Sequence, residues 1–449
     1  MSVGYDSPGA DDFFAIPANA TRWRMVACGS GSRRWDGSGG LLREGTPRMM
    51  HDVDAPDQAQ PGLQEIVDKA LADERLSASD GYALMRATGS GLTALLHAAS
   101  LLRDRHKGRS VSYSRKVFIP LTNICRDRCG YCTFRKDPWE DGAKTMTPDE
   151  VLAVAEAGGK LGCKEALFSL GDKPEVLYAE YRDDLGKLGY RRTLDYLRDM
   201  CELVLTHTPL LPHANPGLMS ARDLAMLRDL NASMGIMLES VSERLLDPGA
   251  THDDAPDKRP ALRLKTMENA GKLQIPFTTG ILIGIGERPE DRVDSLLAIR
   301  RLHEEYGHIQ EVIVQNFRAK PTIPMKDWPE PTLLDMLKTI AVARLLLGGG
   351  MNIQAPPNLT PDAYQLLLLA GINDWGGVSP LTIDFINPEA PWPKIKELRR
   401  VTGEVGLVLR ERLAVYPEYI TMHPEYIPVS LRDRIMGYAD MEGFAREEA

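Results

Sequence analysis

Cys125, Cys129 and Cys132 lie within eight residues, in the run Asn123-Ile-Cys125-Arg-Asp-Arg-Cys129-Gly-Tyr-Cys132. Thiolates are the ligands that iron–sulfur clusters take. Three of them in one tight loop can hold three irons of a [4Fe–4S] cubane and leave the fourth open to a small chelating ligand. The competing chemistry is structural zinc, which closes four ligands and commonly draws them from two Cys-x2-Cys pairs. No second pair occurs in this sequence. Of the other cysteines, Cys28, Cys163 and Cys201 stand alone, and the last two read as small buried hydrophobes. A secreted disulfide framework would instead spread its cysteines in spaced pairs.

Other residues able to do chemistry follow apolar runs further along. Gly171-Asp172 closes one run and Glu239 closes another, an awkward place for a carboxylate with only a structural task. The run from Gly280 ends in Gly284-Ile-Gly286-Glu287. Glycines there let the backbone approach a nucleoside closely. A dinucleotide loop would need a third glycine and an acidic residue about 20 positions on; here a glutamate follows at once. The remaining run ends carry His213 and Asn215, then Gln315, Asn316 and Arg318, then Gln354 and Asn358, then Asp374 and Ser379. Such a lining suits a ligand rich in hydroxyl and amide-like groups. Each could equally be a satisfied core group, the reading favoured for His213.

These residues need a scaffold that gathers them. From residue 117 onward, short β-branched or apolar runs alternate with stretches of helical period. Strands are expected at 117–121, 166–170, 211–214, 234–238, 278–283, 311–316, 352–355 and 375–378. The helices between them carry start signals. Thr147-Pro-Asp-Glu150 joins an N-cap, a proline at the first helical position and a capping-box glutamate. Ser220, Thr332 and Thr360 are further N-cap candidates. Eight strand–helix units predict an α/β fold, a (β/α)8 TIM-type barrel, whose active residues collect at the C-terminal ends of the strands. A doubly wound open sheet is the alternative, because sequence does not reveal closure. Helices at 64–75, 79–87 and 92–106, interrupted by Gly89-Ser-Gly91, form a preface over residues 61–110. The barrel is expected over 111–415, with 416–449 as a tail packing on or beside it. Residues 1–60, rich in Gly, Ser, Asp and Arg without apolar period, read as a disordered extension.

Composition narrows the function classes. The chain has 449 residues, 43% hydrophobic and 26% charged, as a globular enzyme would. A net charge of −9 argues against nucleic acid or an anionic membrane as the main partner. No stretch approaches the ~20 apolar residues of a membrane span, and the run before Cys28 lacks the apolar region of a leader. Cytoplasm is the expected compartment, and the sequons at Asn19, Asn231 and Asn358 are then chance matches.

The three-then-two cysteine spacing, with Tyr131 before the last cysteine, resembles the signature of radical S-adenosylmethionine (SAM) enzymes. Six further stretches resemble deazaflavin (FO) synthases, in the cyclising subunit or the N-terminal half of the fused actinobacterial form. They are Ser112-Tyr-Ser-Arg-Lys-Val-Phe-Ile-Pro120, Lys164-Glu-Ala-Leu-Phe-Ser-Leu-Gly-Asp172, Pro276-Phe-Thr-Thr-Gly280, His308 to Lys320, Ile353-Gln-Ala-Pro-Pro-Asn358 and Asp374-Trp-Gly-Gly-Val-Ser-Pro380. The resemblance implies a [4Fe–4S] cluster on Cys125, Cys129 and Cys132 with SAM on the fourth iron. It places Tyr131, Gly171, Asp172, Glu239, Gly284, Gly286 and Glu287 around SAM. Asp172 departs from the Gly-Gly-Glu usual there, which puts its direct contact in question. Asn316, Arg318, Gln354, Asn358 and Asp374 become candidates for the substrate. The implied reaction takes hydrogen from a tyrosine–ribitylaminopyrimidinedione adduct and closes the ring with loss of ammonia, giving FO, the precursor of coenzyme F420. With one cysteine triplet and one barrel, the adduct would come from a separate radical SAM enzyme, and electrons from an external donor. Other radical SAM reactions, or a metal-binding scaffold without catalysis, remain the rival readings.

Overall fold

The structure, a computed structural model, describes residues 62–446. The expected disordered extension over 1–60, Asn19 and Cys28 lie outside the described residues. Among the described residues nine strands are formed: β1 Ser110–Pro120, β2 Glu165–Ser169, β3 Leu211–Asn215, β4 Ser233–Gly235, β5 Phe277–Ile283, β6 Ile309–Asn316, β7 Ile353–Gln354, β8 Asp374–Val378 and β9 Val408–Glu411. Every pairing is parallel, and β1 bonds both β8 and β2, so β1–β8 close into a barrel. Closure excludes the open doubly wound sheet. All eight expected strands are present; β1 starts seven residues before its expected start, and the other bounds agree within three residues.

Local chemistry explains the helices that wrap this barrel. Thr147, Ser220 and Thr332 each head a helix in a reciprocal capping box with Glu150, Asp223 and Asp335. Thr360 does not: it follows the short turn Pro357–Leu359, and the next helix starts only at Gln365. Gly89-Ser90-Gly91 does not interrupt the preface either, but makes the first turn of the helix Gly89–Lys107. One apolar core runs between strands and helices, from Ile119, Phe168 and Phe277 inside to Leu296, Ile340 and Trp375.

Sequence reasoning missed β9. It adds to the outer side of β1 by pairing Ser110–Tyr113 with Val408–Glu411. The chain then turns under the barrel. Leu413, Val415, Tyr416, Tyr419 and Ile420 form a second apolar cluster with Leu211 and Ala232, at the N-terminal ends of β3 and β4. Residues 412–416 thereby make the floor of the barrel.

Candidate active site

The cysteine loop leaves β1 at Pro120 and is pinned from several sides. Arg126 pairs with Asp257, and Asp127 Oδ1 accepts the Asp257 N–H at 3.0 Å. Tyr178 donates to Asp137 Oδ1 at 2.5 Å, and Arg128 reaches the same carboxylate at 3.0 Å. Gly171, after β2, packs so tightly on this loop that a Cβ there would stand 2.0 Å from the Ile124 carbonyl oxygen. That contact admits glycine alone, and it lets the Asp172 N–H donate to Cys125 Sγ at 3.2 Å. Cys129 and Tyr131 sit in a small apolar cluster with Leu245, Leu282, Ile285, Phe317 and Met325, which keeps water from one side of the loop.

All three cysteines line one cavity of about 360 Å³ that runs down the barrel axis. Pockets of this order hold small molecules. The donor set fits an iron–sulfur cluster better than a single ion. Among the described residues, only Asp127, Asp172 and Asp257 bring three ligand atoms within 4.8 Å of one another. The cysteine sulfurs stand farther apart, whereas a zinc ion with ~2.3 Å bonds would draw them closer. Burial pushes the Cys125 thiol up to about 12, and the Cys129 thiol well above its ordinary value. Thiolates in such a place need a bound cation to exist.

Next to the cysteines, Glu239 is held in an unusual state. Its φ of 65° is left-handed, a conformation that strains a side chain other than glycine. Backbone bonds on both sides fix it: Glu239 N–H to Gly280 O at 2.9 Å, and Leu282 N–H to Glu239 O at 3.1 Å. The carboxylate is buried and accepts from Tyr131 Oη at 2.5 Å and from Lys258. His252 lies 3.2 Å away and Arg263 at 3.9 Å. Burial alone would raise its pKa, but Lys258, His252 and Arg263 outweigh it and hold Glu239 ionised. Asp172 shows the opposite balance. Burial raises its carboxyl to about 7 against the pull of Lys173, and Oδ2 accepts the Leu218 N–H at 3.0 Å.

Not every residue singled out from sequence reaches the cavity. Tyr131, Gly171, Asp172, Glu239, Asn316, Arg318 and Gln354 line it; Gly284, Gly286, Glu287, Asn358 and Asp374 do not. Glu287 folds back on its own loop, accepting from the Gly284 and Ile285 N–H groups at 2.9 Å each and pairing with Arg292 at 2.8 Å. Gly284 and Gly286 pack on Pro331 and Trp328. Asn358 bonds Asp384 and the Ala390 carbonyl, and Asp374 is taken by Ser112 and Arg412 beneath the floor. Sequence reasoning also passed over lining residues. Lys258 and Arg263 come from the β4–β5 connection; Phe134, Phe385 and Trp392 supply the apolar wall, with Phe118 and Trp392 stacked at 5.2 Å. The loop after β8, rich in aromatics and proline, was the available signal for this wall.

The deep end of the cavity is polar. Lys116 Nζ bonds Glu165 Oε1 at 2.6 Å, and Lys116, Arg412 and His213 bring the Glu165 carboxyl down to about 2 although burial opposes ionisation. Burial brings His213 from 6.5 down to about 4 despite the nearby Glu165 carboxylate. A base with a depressed folded pKa is neutral in the fold and must be protonated on unfolding in acid. Its contribution is therefore complete above pH ~6.5 and lost between ~6.5 and ~4. His213→Gln is expected to reduce proton uptake on unfolding at pH 5 by about one proton. Urea titrations between pH 4 and 7 check this; an unchanged slope would contradict it.

Cysteine-loop, barrel and cavity together define a radical SAM enzyme, and residues 119–299 match the Radical SAM superfamily. Solved structures with this fold include methylornithine synthase (TM-score 0.60, 22% identity, 77% of this chain and 97% of that one). Another is the FeFe-hydrogenase maturase HydG of Carboxydothermus hydrogenoformans (TM-score 0.64, 20% identity, 83% and 86%). Sequence similarity is closer to another group. The 7,8-didemethyl-8-hydroxy-5-deazariboflavin synthase of Methanopyrus kandleri is 52% identical over 336 residues, covering 75% of this chain and all of that protein. The FO synthase of Mycobacterium tuberculosis is 47% identical over 410 residues, 87% of this chain but only 48% of its own length. The chain belongs to the 7,8-didemethyl-8-hydroxy-5-deazariboflavin (FO) synthase family, and spans about half the length of the FO synthases from actinobacteria. Among the described residues, no helix is long and apolar enough to cross a membrane.

Proposed function

We propose that this chain is the cyclising member of the FO-forming pair. It would convert the tyrosine–5-amino-6-ribitylaminopyrimidinedione adduct to FO with release of ammonia, methionine and 5′-deoxyadenosine, and work in the cytoplasm. The observation that carries this reading is one cavity with three cysteines at its mouth, an aromatic wall and a charged, hydrogen-bonding floor. A long substrate with an aromatic end and a polyol-bearing pyrimidine end matches that gradient. Cys125, Cys129 and Cys132 would hold the [4Fe–4S] cluster. Once bound, cluster and SAM supply the hydrogen-abstracting chemistry; the protein supplies position and excludes water.

Each remaining role rests on this chain's own groups. Glu239, ionised and rigidly seated beside Tyr131, is placed to accept from SAM hydroxyl or amino groups. Asp172 presents a buried carboxyl next to Cys125, so the shorter side chain is compensated by the close approach at Gly171. Asn316, Arg318 and Gln354 offer amide and guanidinium groups to the substrate. Gly284, Gly286 and Glu287 shape the β5 loop from behind and would act on SAM only through it.

Adduct formation is assigned to a separate radical SAM enzyme. Support comes from the fused relatives, whose length leaves room for a second barrel beyond the matched half. The test is to supply the reconstituted protein with SAM, reductant, free tyrosine and the ribitylaminopyrimidine. No FO is expected until an adduct-forming enzyme is added. FO made by this chain alone from the free precursors would overturn the division of labour.

A further inference from the structure

His213 sits midway along β3, with Leu167 of β2 and Ser233 of β4 as its register partners. It lines the deep cavity among Lys116, Glu165, Gln310 and Arg412, yet only one of its two ring nitrogens is engaged. Nδ1 lies 2.7 Å from Ser233 Oγ. Ser233 Oγ in turn lies 2.6 Å from the Ala414 carbonyl oxygen. A carbonyl only accepts, so the single hydroxyl hydrogen of Ser233 is committed to Ala414. The hydrogen between Ser233 and His213 must then belong to Nδ1. In the neutral ring this leaves Nε2 as a bare acceptor.

Among the described residues Nε2 has no hydrogen-bond partner, and it is not sealed off. The residue keeps 4% of its surface and lines the cavity. On the neighbouring strand β4 the ring lies against Gly235, where a Cβ would stand only 3.2 Å from Nε2, so glycine alone leaves the ring its place. The charged groups around it are already committed, Lys116 to Glu165 and Arg412 to Asp374 and Glu311. Among the described residues, no cation fills the acceptor.

We propose that His213 Nε2 receives a hydrogen from an N–H or O–H of the bound substrate, and that Ser233 and the Ala414 carbonyl fix the tautomer that makes this possible. On the functional reading above, on which this inference rests, the donor is the pyrimidinedione–ribityl end of the adduct, lodged away from the cysteines. His213 is thus a substrate contact that rewards a donor at this depth. Ser233 is a positioning residue acting through it, and the floor segment 412–416 takes part in substrate recognition through one carbonyl.

The test combines kinetics with spectroscopy. In His213→Leu the KM for the adduct is expected to rise roughly 10- to 100-fold, the cost of leaving a buried donor unmatched, with kcat changed far less. His213→Gln, whose amide oxygen reaches the place of Nε2, should recover most of the loss. An adduct with methyl in place of ribityl identifies the donor. A penalty that persists in His213→Leu marks the ring N–H, and one that vanishes marks a ribityl hydroxyl. Nitrogen-15 spectra of the wild-type protein should show His213 protonated at Nδ1, assigned by its loss in His213→Gln. Ser233→Ala should shift that population toward the other tautomer and raise KM. An unchanged KM in His213→Leu while the wild type makes FO, or an Nε2–H tautomer in the wild type, would overturn the proposal. A wild type that makes no FO from the adduct would instead overturn the functional reading, and the tautomer measurement would still decide the local one.

Discussion

Cys129→Ala is expected to abolish both the visible absorbance of the reconstituted cluster and all SAM cleavage. Cys129 is the deepest of the three thiols, 8% exposed and packed with Leu282, Ile285, Phe317 and Met325. Burial works against its ionisation, so the site exists as thiolate only while a cluster holds it. Removing this thiol leaves two sulfurs and a small apolar gap. Cys201→Ala is the control. That thiol is buried between a helix and Asn231, away from the cavity, and its loss should leave absorbance and cleavage intact. Iron and sulfide analysis with a 5′-deoxyadenosine assay reads both. Full cleavage in Cys129→Ala would contradict the assignment.

Arg412→Leu should be the most destabilising of the conservative-volume changes at the barrel floor. Arg412 is 2% exposed, pairs with Asp374 at 2.7 Å and Glu311 at 2.8 Å, and lies over the Tyr416 ring at 4.1 Å. Tyr416 Oη completes the shell on Glu311 at 2.5 Å. Replacing the cation leaves two buried carboxylates facing each other without a counter-charge, a loss of about 3–5 kcal/mol. The melting temperature should fall by roughly 4–6 °C. The deficit should shrink in mild acid, where one carboxyl takes up a proton and the repulsion disappears. Thermal unfolding at pH 7 and pH 5 tests both statements. A variant as stable as the wild type at pH 7 would show that the floor does not depend on this ion pair.

The contrast between Cys129 and Arg412 shows which parts of the site are legible in sequence. Ligand chemistry is local: three cysteines in eight residues define their loop without any knowledge of the fold. The eight barrel strands were legible for a similar reason, since runs such as Phe277–Ile283 are buried along their whole length and stand out between amphipathic helices. Arg412 carries no such signal. Its meaning lies in Glu311 and Asp374, about 100 and 38 positions away, and β9 before it is a four-residue strand with charged residues at its end. A shorter separation, 19 positions for Lys258, also hid Lys258 and Arg263, whose purpose appears only once Glu239 is folded against them.

A motif's spacing does not show where a side chain finds its partners. Glu287 reads as a ligand contact from its position after Gly284 and Gly286, yet both its oxygens are spent on backbone N–H groups and Arg292. Asp374 ends in the same way, consumed by Arg412. His213 is the intermediate case. Sequence favoured a satisfied core histidine, and the fold satisfies one ring nitrogen while leaving the other to the cavity.

The most direct test of the central claim is a single anaerobic incubation. Reconstituted protein receives SAM, a reductant and purified tyrosine–pyrimidine adduct, and FO fluorescence and 5′-deoxyadenosine are measured together. Cyclisation predicts that both appear, in fixed proportion and only when adduct is present. SAM cleavage without FO, from a protein whose cluster is intact, would contradict it.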